Sequence, residues 1–438
     1  MQPTTTERIN NDRQKQISDM SVLREAILHP KRLPESSNQA RKRENKMKFV
    51  TTDNRIPIKS WCEPIEYGAM EQAANLANHP CMFKHVALMP DAHQGYGMPI
   101  GGVIACNNAV IPNAVGVDIG CGMCAVRTTV LAEELDTDAI KRIMGDIRKT
   151  VPVGFNHHNT PRDWSGFEEA PDVQVVKQQL CSARKQLGTL GGGNHFIEIQ
   201  AGDDGFIWLM LHSGSRNFGY KIAKEYNEKA QQLCNLWHSK VDDFKGEDGL
   251  AFLPIGTVEA REYIEAMNFA LRFAQANRAA IMLAFKEATY METKCDFEDE
   301  INIHHNYAAI ENHFGHNVWV HRKGATSARE GQFGIIPGSM GTASYIVRGL
   351  GNPESFMSCS HGAGRCMGRK EASRTLTVED CDRAMEGVVY GRWGTDRKGN
   401  IDLGEAPGAY KDIDTVIQAQ DDLVNIVAKL RPLGVVKG

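Results

Sequence analysis

From Met47 onward, short apolar runs alternate with glycine-rich turns, and later stretches carry apolar residues at helical spacing. One apolar run, Ala109 to Val115, breaks into Gly116-Val117-Asp118-Ile119-Gly120-Cys121-Gly122-Met123. The pattern predicts the end of a buried strand passing into a turn. Cys81 to Val115 predicts strands separated by glycine turns, with the densest turn chemistry in Met89 to Gly102. Ala125 to Val130 is expected to be a strand, Thr137 to Thr150 a helix, His157 to Asp172 a polar loop and Val173 to Leu187 a second helix. The run Ile207 to Leu211 predicts a buried strand. Gly219 to Lys240 and Thr257 to Lys294 predict helices, and the second is assigned structure and no chemistry. In Ile301 to Tyr307 a strand is expected, on which His304 and His305 point to opposite faces, so only one can join a given site.

The bulk numbers set limits. A chain of 438 residues with 42% hydrophobic and 24% charged residues is that of an ordinary globular protein with ample surface to bury. No run approaches the roughly 18 apolar residues of a membrane helix, and the polar N-terminus shows no secretory signal. No membrane association is expected. Eleven cysteines lie scattered without a framework, which favours a reducing, cytoplasmic setting with thiols used as ligands or core fillers. Residues 1–46 hold ten Lys and Arg against six Asp and Glu, a balance of +4, so the remainder carries −8 of the total −4. This first segment is expected to be a flexible polar and basic extension, with at most a short helix from Ser18 to Leu28. The domain proper would span 47–438. An acidic body argues against broad non-specific nucleic-acid binding, although a local basic groove would not show in a sum.

Candidate chemistry gathers at strand ends. Asp118 offers a hard oxygen and Cys121 a soft sulfur, but a metal site usually draws at least three protein ligands. Alone, an Asp-x-x-Cys turn with a buried thiol would suffice as an explanation. Histidines downstream change the balance. His195 follows four glycines and precedes a strand that begins near Glu198, and His212 ends a strand just before Ser-Gly-Ser-Arg216. His361 stands between Ser360 and Gly362-Ala363-Gly364-Arg365, where little packing surrounds an imidazole. Gly334 to Ser344 gathers hydroxyls and glycines in one turn, as phosphate cradles do. Cys121 and Cys124 form a CxxC, yet a strand follows it and no second pair exists, so Cys121 is taken as ligand and Cys124 as core. The Gly95/Gly97 pair fails as a dinucleotide loop because Pro99 intrudes and the third glycine falls at Gly101. Asp91 and His93 remain as polar residues beside a strand end. His313, His316 and His321 are expected at the surface or behind the site.

Taken together, the blocks VGVDIGCGM, LGTLGGGNHFIEI, LHSGSR, HHNYA, RKGATSA, GIIPGSMG and SCSHGAGR, with the terminal VVKG, resemble the RtcB family of RNA-splicing ligases. The likeness extends from about Met47 to Gly438, and Gly-Val-Asp-Ile-Gly-Cys is similar to the bacterial members. The resemblance implies a mixed α/β (α+β) fold, a single catalytic domain whose sheets and surrounding helices enclose a central metal and nucleotide cleft, not a doubly wound sheet. It implies an enzyme that joins RNA 3′-phosphate or 2′,3′-cyclic phosphate ends to 5′-hydroxyl ends, in RNA repair or tRNA splicing, using GTP. Two manganese ions (Mn²⁺) would be held by Asp118, Cys121, His195, His212 and His305, with the cysteine bridging. His361 would be the catalytic nucleophile that takes up GMP. Nucleotide contacts would come from Asn194, His195, Phe196, Ile197 and Glu198, from His305 and Asn306, and from Pro337, Gly338, Ser339, Met340 and Ser344. His361, Gly362, Ala363, Gly364, Tyr410 and Lys437 would complete them. The need for an activating protein is left open. Two other functions share part of this residue set: a metal-dependent phosphoesterase, which needs the ligands but not His361 or Lys437, and a non-catalytic RNA-binding module, which would tolerate loss of Asp118 and Cys121.

Overall fold

The structure, a computed structural model, describes residues 46–237, 249–391, 393–395 and 399–438. The expected extension, with its short helix, falls outside the described residues except for Lys46. So does the end of the helix expected to reach Lys240.

Two sheets carry the architecture. The first has six strands in the order Phe49–Thr51, Ile58–Ser60, Met82–His93, Ile100–Cys106, His316–Lys323 and Asn306–His313. The second has seven, ordered Ile301–His304, Gly122–Leu131, Phe206–Ser213, Phe196–Gly202, Val424–Lys437, Ser344–Gly349 and Phe333–Ile336. Neighbouring strands run antiparallel except Ile58–Ser60 beside Met82–His93. This is the mixed helix-and-sheet fold expected, with no doubly wound parallel sheet. Among the described residues no helix is long and apolar enough to cross a membrane.

The longest helix, Val258–Thr293, is capped by the Thr257 hydroxyl, which accepts from the Ala260 amide at 3.2 Å. Its 36 residues span about 54 Å at the usual rise. Buried Ala274, Arg278, Ile281, Met282 and Phe285 recur at helical spacing. Ile281, Met282 and Phe285 meet Val126, Ile197, Ile199, Leu209 and Leu211 of the seven-stranded sheet in one apolar core. Such large side chains each contribute about 1.5–3 kcal/mol on burial. The helices Thr137–Thr150 and Gln174–Gln186 lie where periodicity places them.

Several local expectations are corrected. Ala109–Val115 is not one strand: two residues pair, and Pro112 then opens a short helix, Pro112–Val115, because proline's fixed φ suits a first helical turn. Met89 to His93 belongs to the long strand Met82–His93 rather than to a turn. His305 does not lie within a strand; it separates Ile301–His304 from Asn306–His313. His313 and His321 are buried in the six-stranded sheet, where Glu311 Oε2 lies 3.1 Å from His313 Nε2 and His321 Nε2 accepts from the Ile111 amide at 3.0 Å. Only His316 of that group is exposed. The turn in Gly334 to Ser344 is confined to 337–343 between two strands.

One buried ion pair ties the six-stranded sheet to the segment before His361. Arg322, wholly buried, donates to Glu311, to Tyr307 OH at 3.0 Å, to the Ser358 hydroxyl at 2.9 Å and to the Phe356 carbonyl at 3.0 Å. Burial works against ionisation of Glu311, but Arg322, with His313 and Arg329, pulls its carboxyl down to about 2. Because the folded value lies below the ordinary carboxylate value of about 4.3, the pair's contribution is complete above that pH and is lost as pH falls toward 2. Glu311→Gln is expected to lower unfolding free energy by about 3 kcal/mol near neutrality. In urea unfolding, the gap between wild type and variant should shrink from about pH 4 downward; a gap independent of pH would contradict this role.

Candidate metal and nucleotide centre

The site forms where the chain passes from one sheet to the other. After the six-stranded sheet's strand Ile100–Cys106 and the short helix Pro112–Val115, the loop 116–121 enters the strand Gly122–Leu131 of the seven-stranded sheet. It carries Asp118 and Cys121. His305 lies at the opposite crossing, between Ile301–His304 and Asn306–His313. His195 sits immediately before Phe196–Gly202, and His212 lies near the end of the adjacent strand Phe206–Ser213, with Phe196 and His212 in register.

These five side chains converge. Cys121 Sγ lies 3.1 Å from His212 Nε2 and 3.4 Å from His195 Nε2. His212 Nε2 and His305 Nε2 are 3.3 Å apart, and His195 Nε2 is 3.3 Å from Asp118 Oδ2. The donors fall into two overlapping groups, Cys121 with His212 and His305, and Asp118 with Cys121 and His195. Cys121 belongs to both. His195 Nδ1 donates to the Leu190 carbonyl at 2.9 Å and His212 Nδ1 to the Asn194 carbonyl at 3.2 Å, which leaves each Nε2 with a bare lone pair. Burial pushes His212 and His305 well below the ordinary histidine range, so both rings are neutral. Neutral rings whose lone pairs face one another and a sulfur repel unless a cation lies between them. The donor set therefore fits divalent metal. Without metal, burial and the neighbouring Asp118 raise the Cys121 thiol well above its usual value, so loading would release its proton.

His361 adjoins this cluster, its ring centroid 4.8 Å from that of His305. Its Nδ1 donates to Asp91 Oδ2 at 2.6 Å, and the same oxygen accepts from the His361 and Gly362 amides at 3.0 and 3.3 Å. Burial opposes ionisation of Asp91, but the His361 contact holds it below the usual carboxylate range. Asp91 thus fixes the ring and keeps the proton on Nδ1, leaving Nε2 free to act as a nucleophile. Gly364, at φ +76°, allows this packing, since a Cβ there would fall on the Asp91 carbonyl.

A cavity opens beside His361. Asn194, Phe196, Glu198, Pro337, Gly338, Ser339, Met340, Gly362, Ala363, Gly364, Tyr410 and Lys437 line it. Ile197 faces the apolar core instead, as the alternation of a strand requires. Asn306 and Ser344 stand behind the lining: Asn306 donates to the Asp118 carbonyl at 3.1 Å and accepts from the Gly324 amide at 2.7 Å, and Ser344 Oγ accepts from Gln200 Nε2 at 3.1 Å. Glu405, which sequence reasoning missed, is a hub of the cavity wall. It accepts from Arg369 Nε at 2.6 Å and from Arg365 and Tyr410, with Lys437 Nζ at 3.6 Å. Burial raises Glu198 to about 7 and lowers Lys437.

The long helix also enters the site, contrary to its assignment as structure alone. Arg278 Nη1 donates to the Gly120 carbonyl at 2.8 Å and the Ser213 carbonyl at 3.0 Å, while Nη2 bonds His304 Nδ1 at 3.0 Å. Each partner is the chain neighbour of a donor: Cys121, His212 and His305. His304 is thereby turned from the cluster. Asn277 accepts from the Gly188 and Thr189 amides at 2.7 and 3.1 Å and donates to the Gly214 carbonyl at 3.1 Å, holding the glycine loop before His195. No sequence motif marks either residue. Arg278→Met should weaken divalent-metal affinity about 10–100-fold, the usual cost of losing an outer-shell partner, and Cys121→Ser should abolish the shared site. Cys124→Ser, whose sulfur lies in the apolar core, should retain metal. Elemental analysis and calorimetric titration measure all three; equal metal in Cys121→Ser and Cys124→Ser would remove Cys121 from the ligand set.

Comparison with known proteins bears on the same residues. A family model described as tRNA-splicing ligase RtcB matches residues 72–438. The RNA-splicing ligase RtcB of Escherichia coli (strain K12) is 42% identical over 89% of this chain and 99% of its own length. The tRNA-splicing ligase RtcB of Thermococcus kodakarensis is 34% identical over 84% of the chain and 91% of its own length. That of Mycobacterium tuberculosis, an RNA-splicing ligase RtcB, is 32% identical over 84% of the chain and all of its own length, 100%. With the match covering most of the chain and the convergent donors lying inside it, this protein belongs to the RtcB family of RNA ligases.

Proposed function

We propose that the enzyme joins RNA 3′-phosphate or 2′,3′-cyclic phosphate ends to 5′-hydroxyl ends, consuming GTP, with His361 as nucleophile and two Mn²⁺ ions sharing Cys121. One observation carries the reading: a histidine with its Nδ1 proton held by a buried carboxylate lines a cavity and abuts five convergent donors. A phosphoesterase would need the donors but gains nothing from a histidine held ready in this way.

The chemistry follows from these parts. His361 Nε2 attacks the α-phosphorus of GTP; a P–N bond forms and the P–O bond to pyrophosphate breaks. The RNA 3′-phosphate then attacks the same phosphorus, freeing His361 and activating the RNA end. Attack by the 5′-hydroxyl on the RNA phosphorus forms the phosphodiester and expels GMP. A cyclic end must first be opened by water. Two divalent ions, when bound, supply charge neutralisation and alignment of phosphoryl oxygens. Asp91 orients the attacking ring, and its negative charge stabilises the imidazole as it becomes positive. Arg365, Arg369 and Lys437 bring positive charge to the cavity wall. Glu198 and Glu405 offer acceptors there, which match the N1–H and N2–H donors of guanine but meet a lone pair at adenine N1.

The same reading makes 47–438 the catalytic unit and 1–46 an accessory segment. It also sets the enzyme in the cytoplasm, where eleven unpaired cysteines would stay reduced.

Incubation with α-labelled GTP and Mn²⁺ is expected to attach one GMP per chain through a bond labile in acid and stable in base, as a phosphoramidate is. His361→Ala should form no adduct and join no RNA ends while retaining metal. An adduct that persists in His361→Ala, or survives acid, would overturn the assignment and favour a phosphoesterase.

A further inference from the structure

One nucleophilic pair takes no part in the chemistry described above. Cys62 and Lys411 share the wall of a cavity of about 650 Å³ that has no lining residue in common with the nucleotide cavity. Pro90, next to Asp91 on its strand, lies on the same wall. Lys411 Nζ donates to Cys62 Sγ at 3.3 Å, to the Ala92 carbonyl at 2.6 Å and to the Pro90 carbonyl at 3.4 Å. The sulfur is held in turn: Cys62 is buried, and Sγ lies 3.6 Å from the Pro64 and Ala92 carbonyls. Amine and thiol are thus fixed against each other on a cavity that admits small polar molecules.

A serine would accept the same hydrogen bond; a thiol adds reactivity toward oxidants. Burial raises the Cys62 thiol, and the Lys411 charge opposes the rise. The proton between the two groups serves both: on nitrogen it leaves sulfur as the thiolate, and on sulfur it leaves nitrogen as a free amine. We infer that Cys62 and Lys411 form a modification site, at which hydrogen peroxide joins sulfur to nitrogen through one oxygen atom. The thiolate attacks a first peroxide: an S–O bond forms, the O–O bond breaks, and hydroxide leaves and is protonated to water. The amine attacks a second peroxide, giving a hydroxylamine and water. The hydroxylamine oxygen then displaces water from the sulfenic sulfur, closing an N–O–S link. Sulfur and nitrogen are oxidised, both peroxides are reduced, and three waters leave.

The link reaches His361 through Asp91. The carbonyls that Lys411 Nζ engages belong to the residues on either side of Asp91, and the Lys411 amide donates to the Gly364 carbonyl at 2.9 Å, on the loop that follows His361. Burial opposes ionisation of Asp91; the His361 contact and, to a smaller extent, the Lys411 charge favour it. A nitrogen bonded to oxygen is far less basic than lysine's, so the link removes that charge and leaves one N–H where the ammonium had three. Asp91 then holds the His361 ring less firmly, and GMP transfer to Nε2 slows. Excess thiol reverses the link, becoming disulfide while thiol, amine and water are regenerated. The effect on GMP transfer rests on the ligation reading above; the link itself does not.

Metal-loaded, full-length enzyme is treated with hydrogen peroxide, cleared with catalase, digested without reductant and read by mass spectrometry. The Cys62 and Lys411 peptides should appear joined, with one oxygen gained and two hydrogens lost relative to their sum. Cys62→Ser and Lys411→Arg should each abolish the joined species, and dithiothreitol should separate it. Formation of the GMP adduct should slow several-fold in treated wild type and recover with dithiothreitol, whereas Cys62→Ser, equal to wild type before treatment, should keep its rate. Peptides that stay separate would overturn the site. So would a joined species that lacks the oxygen and persists in Lys411→Arg, as a disulfide from Cys62 to the exposed Cys366 on the same wall would. Joined protein that forms the adduct at full rate would overturn the coupling to Asp91. An untreated wild type that forms no adduct would overturn the ligase reading, while the peptide masses still decide the link.

Discussion

The site depends on a buried polar staple from the longest helix. Arg278 and Asn277 are both fully buried, and between them they bond the chain beside Cys121, His212 and His305 and the glycine loop ahead of His195. Burial lowers Arg278 to about 10, which still leaves it charged at neutral pH. A guanidinium in that position would be severely destabilising without partners. Here two carbonyls, Asn302 Oδ1 at 2.7 Å and His304 Nδ1 satisfy it. The arrangement is therefore coupled: the loops cannot shift without orphaning the charge, and the charge cannot be buried unless the loops are in place.

This coupling explains why donors so distant in sequence need little loop of their own. Strands of the seven-stranded sheet deliver His195 and His212 side by side, and the two chain crossings between sheets deliver Asp118 with Cys121 and then His305. The six-stranded sheet supplies the carboxylate of the remaining pair, and the short strand Ser358–Ser360 of a separate two-stranded sheet leads into its histidine. Asp91, on its long strand, holds His361, and Arg322 secures the segment leading to His361. Reactive groups are thus fixed by rigid elements before any substrate arrives, which is the condition under which orientation contributes most to catalysis.

Much of the centre was legible in the chain because its chemistry sits in conspicuous settings. Asp118, Cys121, His195, His212 and His361 stand in glycine-rich sequence at strand ends, where a side chain has few packing duties. The choice of His305 over His304 was carried by family likeness; the structure gives its physical basis in Arg278, which engages His304. What could not be read were partnerships across the chain. Asp91 looked like a polar residue near a turn until the fold set it against His361, 270 residues away. Glu405 lies in a segment without periodicity or motif, and Arg278 lies within a strongly periodic helix whose pattern conceals the charged residues Arg278 and Lys286 on its buried face. His313 and His321 were misplaced for a related reason: polar composition suggested surface, but Glu311 and the Ile111 amide satisfy them inside the sheet. Periodicity specifies faces, and only the assembled topology decides which polar groups on those faces find one another.

The central claim is that one thiolate, Cys121, is common to two metal positions beside His361. Anomalous scattering at the manganese edge, from crystals of the enzyme grown with Mn²⁺ and GTP, tests it directly. Two peaks are expected within bonding distance of Cys121 Sγ, one toward Asp118 and His195 and the other toward His212 and His305. A single peak, or peaks bonded to other residues with Cys121 left unligated, would contradict the account.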